Sequence, residues 1–283
     1  MRIYLILFVA LISVSSTALV IRHVEFVPAL TLAFWRMFSA SIILLLYQQI
    51  KPKKTITSKN KKRIIYAGIF LGLHFAFFFL GVRNTSISSA TLLANTGPLF
   101  TAIIAIINKE SLSKYVFYGL VVTTLGILIV QRSIFEFGLL NNYATILSLL
   151  SGFCIAVTYV FASKIRKDTD NTIYGMYVFF IASITIFFVT LLTGDSLLEF
   201  ERSHIMWFLF LGLVPSILGH NMLNYCIKYL SPTAIASVPL GEPIIASLLG
   251  FFLFYEKISI NAIFGAPFIF IGIYIIIKNS NTN

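Results

Sequence analysis

The chain is poor in charge. Asp, Glu, Lys and Arg make up 11% of its 283 residues, against 58% for the hydrophobic types. A soluble domain carries about 25% charged residues. So few charges cannot cover a soluble surface, which leaves a polytopic membrane protein. Acids are the scarcer sign, 10 against 21 Lys and Arg, for a net charge of +11. The cations fall in short segments at the edges of apolar runs. No basic domain stands apart from them, which argues against nucleic acid as a partner. Cysteine is almost missing. Cys154 and Cys226 both lie in apolar segments, with neither metal spacing nor a disulfide framework, and they read as small packing residues. No His/Asp/Glu set stands at metal spacing and no glycine-rich phosphate loop is present. The sequence therefore gives no reason to expect a metal, a cofactor, a catalytic residue or direct use of ATP.

What the chain has is long apolar runs. A spanning helix needs about 20 mostly apolar residues. Ten such segments can be laid out, at 3–21, 29–49, 64–82, 87–107, 115–131, 143–163, 173–193, 204–228, 233–254 and 260–277. The first, "MRIYLILFVALISVSSTALVIR", imitates a signal peptide, but its apolar character runs on to Ile21, long enough to span. The longest polar linker is "KPKKTITSKNKKR", residues 51–63. The side holding that linker and both termini collects fifteen Lys and Arg, and the opposite side five: Arg22, Arg83, Arg132, Arg202 and Lys257. The positive-inside rule makes the cation-rich side cytoplasmic, with both ends of the chain inside.

The chain repeats itself. At an offset of 146 residues His74 meets His220, Glu110 meets Glu256, Ser113 meets Ser259, Gly119 meets Gly265, Gly126 meets Gly272 and Arg132 meets Lys278. At 145, Pro98 in "NTGPLFTAI" meets Pro243 in "PLGEPIIAS". The expected organisation is a five-span repeat in 1–135 and a second in 136–283. An odd number of spans per copy turns the second upside down, so the fold class expected is an all-α integral membrane protein of ten transmembrane helices in two inverted five-helix repeats. Secondary transporters built this way hold their sites near the midplane between the repeats.

The stretches "LAFWRMFSASIILLL", "ISSATLLANTGPLFTAIIAIINKESLS" and "LGHNMLNYCIKYLSPTAIASVPLGEPIIASLLGFFLFYEKIS", set in the two five-span halves, resemble the EamA-type drug/metabolite transporter superfamily. The resemblance covers essentially the whole chain. It implies a carrier in the bacterial inner membrane that moves amino acids or other small metabolites, often outward. Two features depart from a symmetric site. Gly97 stands where the second half has Glu242, and the seventh span has no ionisable residue except tyrosines to match Arg36.

Few ionisable groups lie within the spans, and a charge there costs at least about 2.5–3.5 kcal/mol on insertion scales, so such groups face an interior cavity and serve a purpose. The candidates for a substrate cavity or coupling are Glu242, Arg36, His74, His220, Asn224 and Asn95. Glu242 reads either as a substrate-contacting or proton-carrying acid or as a structural ion-pair partner. Arg36 reads as a carboxylate fork or as that partner, and the histidines as proton couplers or an interhelical hydrogen bond. Pro98 and Pro243 are expected to kink their helices. Gly119, Gly126, Gly265 and Gly272 are expected to pack spans five and ten closely, or to form a dimer seam. Trp35, Tyr159, Tyr177 and Tyr225 are candidates to line an aromatic cavity, and Ser113 and Ser259 to cap helices.

The function expected is a secondary transporter working by alternating access. Its partners are a small-molecule substrate and the lipid bilayer, with the drive supplied by the substrate gradient or by protons as coupling ion, in a monomer or homodimer. The alternatives are a polytopic membrane enzyme and a channel-like or structural membrane subunit.

Overall fold

The computed structural model describes residues 2–50, 56–130, 143–255 and 257–280. Among them every regular element is a helix, and the protein is an all-α integral membrane protein. Among the described residues nine helices are long and apolar enough to cross a membrane, and Lys114–Val130 is a shorter apolar one. In chain order the spans are α1 (Arg2–His23), α2 (Ala29–Gln49), α3 (Ser58–Asn84), α4 (Ile87–Ala94 and Gly97–Ile107), α5 (Lys114–Val130), α6 (Tyr143–Ile165) and α7 (Asn171–Thr193). Then come α8 (Ile205–Leu211, Gly212–Asn221 and Met222–Cys226), α9 (Pro232–Ser237, Val238–Gly241 and Glu242–Phe254) and α10 (Ile260–Lys278). The domain boundary near residue 135, Arg132 and Glu256 lie outside the described residues.

Polar residues at the span ends satisfy backbone groups that lipid cannot. The Asp170 carboxylate accepts the amide of Thr172 at 2.9 Å, Ser86 Oγ that of Ser89 at 3.1 Å, and Ser259 Oγ that of Ala262 at 3.1 Å. Ser113 Oγ takes the amide of Tyr115 at 3.3 Å. Beyond the ends of α4 and α9, Lys109 and Tyr255 both turn left-handed, at φ 58° and 56°. They stand 146 residues apart, the spacing of the sequence repeat.

Three spans are not simple α-helices. In α4 the break falls at Asn95–Thr96, and Pro98 sits in the first turn of the second piece, where its missing N–H costs nothing. In α9 the residues Val238–Gly241 wind tighter, as a 3₁₀ turn, and Pro243 follows in the first turn of the next helix. In α8 the middle, Gly212–Asn221, is π-helical and contains Pro215. The cause is local. An α-helix would give the Leu211 carbonyl the amide of residue 215, but proline has none. Ser216 Oγ donates to that carbonyl instead, at 2.8 Å.

Packing divides the spans into two bundles with two flanking pairs. α6 lies along α3 and α4, while α1 lies along α8 and α9. Exchanging each span for the one five places on converts the first bundle into the second. Spans α2 and α7 pair antiparallel, with Thr31 bonded to the Ser196 carbonyl at one end and Ser41 to that of Met176 further along. Spans α5 and α10 also pair antiparallel. A Cβ on Gly272 would lie 2.7 Å from the Gly119 carbonyl oxygen, and one on Gly265 2.7 Å from that of Gly126. All four glycines thus serve an intramolecular seam, where the two backbones approach as only glycine permits.

Candidate functional site

Between the two bundles lies a cavity of about 30 Å³, room for about two water molecules. The bundle of α3, α4 and α6 contributes His74, Phe75, Phe78, Asn95 and Tyr159 to its wall, among others. The opposite bundle contributes Val14 and Thr17 from α1, His220 from α8, and Pro239 and Glu242 from α9, while α2 supplies Arg36. Five of the six site residues expected from the sequence therefore meet in one place.

Arg36 is wholly buried, at 0% exposure. Its Nε donates to Ser216 Oγ at 2.9 Å and its Nη1 to Thr17 Oγ1 at 3.3 Å. The guanidinium carbon lies 4.2 Å from the centre of the Phe75 ring, over its face, a contact worth about 2 kcal/mol once water is removed. Nη2 has no hydrogen-bond partner. The π-helix sets this geometry, because the turn that binds Ser216 to the Leu211 carbonyl also presents its oxygen to Arg36.

Glu242 keeps partial exposure into the cavity. Asn95 Nδ2 donates to its Oε2 at 3.5 Å, a long bond, and to the Pro239 carbonyl at 3.1 Å. The Pro239 carbonyl accepts the amide of Glu242 within the tight turn of α9, and Asn95, at the break in α4, reaches its second lone pair. The two helix breaks thus face each other across the seam. Among the described residues neither Glu242 nor Arg36 closes an ion pair within 4.0 Å. Opposite charges share one cavity with their strongest possible partners unengaged.

His74 Nδ1 lies 3.0 Å from the Ser151 carbonyl oxygen and 2.8 Å from its hydroxyl. The carbonyl can only accept, which favours the tautomer with the proton on Nδ1. The His220 ring sits with its centre 6.1 Å from that of His74, and its Nδ1 has no partner. Tyr159, 2% exposed, also leaves its hydroxyl without one. Buried polar atoms are rarely left so, and three of them (Arg36 Nη2, His220 Nδ1 and Tyr159 Oη) belong to residues of this one wall.

Asn224 does not line the cavity. Its backbone carbonyl, near the end of α6, accepts from Arg166 Nε at 3.1 Å. Burial pulls the Arg166 guanidinium below the usual arginine range, opposed by the charge of Asp170. Of the four aromatic candidates Tyr159 alone is in the cavity wall. Trp35 stands outside it, its Nε1 bonded to the Leu197 carbonyl at 2.9 Å and its ring stacked on Phe208. Tyr177 is 43% exposed.

Residues 1–132 and 142–278 match the model of the EamA-like transporter family. The chain belongs to that family. An uncharacterized transporter of Archaeoglobus fulgidus is 22% identical to this EamA-like transporter over 251 residues, 86% of each chain. The uncharacterized transporter YyaM of Bacillus subtilis is 26% identical over 250 residues, 85% of this chain and 82% of the relative. A protein of known crystal structure superposes with a TM-score of 0.78 at 14% identity, covering 97% of this chain and 96% of that one; that likeness concerns the fold alone. In this EamA-like transporter, Thr17, Ser216 and Phe75 are the site residues that sequence reasoning missed. The signal for Ser216 was Pro215, a proline inside an apolar span one residue before a hydroxyl. Thr17 and Phe75 carried no signal, since buried threonines and phenylalanines occur throughout the chain.

Proposed function

We propose that the protein is a secondary carrier that moves a small metabolite, an amino acid or a related compound, outward across the bacterial inner membrane by alternating access. The observation that carries this reading is the cavity between the bundles, where Arg36 and Glu242 stand unpaired with each other beside three buried polar atoms that lack partners. A ligand with an anionic and a cationic end answers both charges: its carboxylate bonds Arg36 and Tyr159, and its ammonium bonds Glu242. At about 30 Å³ the cavity is too small for such a molecule, so the bundles must part to admit it.

The halves 1–135 and 136–283 act as inverted repeats. Three features support this: the antiparallel pairing of α2 with α7 and of α5 with α10, the exchange symmetry of the packing, and the matched left-handed residues Lys109 and Tyr255. Two equivalent packings then open to opposite faces. Both termini lie in the cytoplasm, as the excess of Lys and Arg on that side requires. Protons are the coupling ion, carried by Glu242, and a single chain contains the whole path.

A metabolite screen by thermal unfolding of the purified protein tests the reading. A ligand present at 100 times its Kd adds about 2.7 kcal/mol of stability. Zwitterionic compounds should raise Tm, and Glu242→Gln should remove both that rise and the pH dependence of flux in proteoliposomes. Wild-type flux in Glu242→Gln at every pH would sink the role given to Glu242.

A further inference from the structure

The two bundles are joined at both faces of the membrane by an arginine that binds backbone carbonyls of the opposite bundle. At the end of α3, Arg83 Nη2 donates to the Val24 carbonyl at 3.1 Å and the Val27 carbonyl at 3.0 Å, and its Nη1 bonds the carbonyl of Glu25. All three acceptors belong to the end of α1 and its connection to α2. At the end of α6, Arg166 Nε donates to the Asn224 carbonyl of α8 at 3.1 Å, while Nη1 holds the carbonyl of Thr169.

These two places lie at opposite ends of the molecule. Spans α3 and α6 pack antiparallel, since Asn60 meets Ile165, His74 meets Ser151 and a Cβ on Gly81 would meet Ser148. At 1.5 Å per residue Arg83 lies about 35 Å along α3 from the level of Arg166, which exceeds the hydrocarbon thickness of about 30 Å. The cavity lies between them, with His74 at an intermediate level. Both arginines belong to the same bundle, and both grip the other one. The elements joined correspond as well: the end of α3 with the α1–α2 connection at one face, the end of α8 with the α6–α7 connection at the other. The donor has changed partner. It stands on the span in the first case and on the connection in the second.

We propose that Arg83 and Arg166 are the two latches of this carrier, one per face, and that this structure has both closed. The proposal rests on the alternating-access reading of the cavity. Parting the bundles at one face requires that face's arginine to release carbonyls, while the other face stays gripped and acts as the hinge. A guanidinium suits the task, because its planar fork holds several carbonyls at once, and the carbonyls it releases at the membrane edge are taken over by water. The latches carry no substrate chemistry, so they set which face opens and not what is moved.

Accessibility of the cavity from each face tests this without any substrate. A cysteine is placed at the wall position Ala94, with Cys154→Ala and Cys226→Ala removing the native thiols. Its labelling by a membrane-impermeant thiol reagent is then compared in vesicles of either orientation. Arg83→Gln should raise labelling from the Glu25 face by about tenfold, the scale for one lost charge-assisted hydrogen bond, and leave the other face unchanged. Arg166→Gln should do the reverse. Arg83→Lys and Arg166→Lys, which keep the charge and lose the fork, should move labelling the same way by less. Folded variants that label like their parent, or a variant that opens the wrong face, would overturn the proposal. If the glutamine variants fail to fold, parent-like labelling of the folded lysine variants overturns it alone. Rapid labelling of the parent from both faces at once is a different failure: it removes the carrier reading itself.

Discussion

Arg36 carries its charge in the interior with two hydroxyls and two aromatic rings, and among the described residues no carboxylate lies within ion-pair distance. A structural role and a binding role make opposite predictions there. Replacing a buried ion pair by apolar side chains of similar volume is often neutral, or stabilising by about 1–4 kcal/mol, whereas removing one partner of such a pair is strongly destabilising; Arg36 closes no such pair among the described residues, so its removal breaks none. If the guanidinium is kept for a ligand, Arg36→Met should unfold at a Tm equal to or above that of the wild type and should lose flux and ligand-induced stabilisation. A large fall in Tm would assign Arg36 to the architecture. The sequence located this residue, because an arginine inside an apolar run stands out. It could not distinguish an ion pair with Glu242 from a shared cavity, since that depends on side-chain distances of a few ångström. Asn224 shows the complementary limit. One turn after His220, it looked like part of the same wall, yet it lies beyond the change from π-helix to α-helix at Met222, which alters the turn on which that spacing was read, and it does not line the cavity.

At the scale of elements, the broken spans were legible and the manner of breaking was not. Proline and glycine at 97–98 and 241–243 announced interrupted helices. The actual breaks lie just before Pro98 and Pro243, because proline is accommodated in a first turn and the preceding residues absorb the bend. The π-helix in α8 escaped notice, although Pro215 was visible throughout. Pro215→Ala restores an amide to the Leu211 carbonyl and lets the segment relax toward an α-helix. Ser216 then leaves Arg36. The expected result is a Tm equal to or above that of the wild type with reduced flux, read by thermal unfolding and proteoliposome transport together. Flux at the wild-type level would mean that the π-helix does not set the site. The α5–α10 seam gives a prediction of the opposite kind. A Cβ at position 272 meets backbone atoms at 2.7 Å, the Gly119 carbonyl oxygen and the Thr123 amide nitrogen. Backbone cannot yield as a side-chain tip can, so Gly272→Ala should destabilise the protein by about 1–3 kcal/mol, seen as a lowered Tm. Wild-type stability would show that this seam is looser than the glycines suggest.

Over the whole molecule, hydropathy located the spans to within a few residues, except at the start of α3. That helix begins at Ser58 rather than 64, because a lysine-rich turn can lie at the membrane edge without disturbing the helix ladder. Which spans pack together was beyond a reading of the sequence. The bundles mix the two halves, with α6 seated on α3 and α4, and α1 on α8 and α9. Orientation is a separate prediction from charge. Single cysteines should be labelled from the cytoplasmic face at Lys59 and from the opposite face at Glu199. The reverse result would invert the assignment without touching the fold.

Alternating access requires one cavity between the two bundles, exposed first to one face and then to the other. Counterflow in proteoliposomes tests it most directly, using a labelled compound that raises Tm in the metabolite screen. With unlabelled compound loaded inside, the wild-type protein should accumulate label transiently above equilibrium, and Arg36→Met should not. Label that only equilibrates without overshoot, or overshoot that persists in Arg36→Met, would contradict the account.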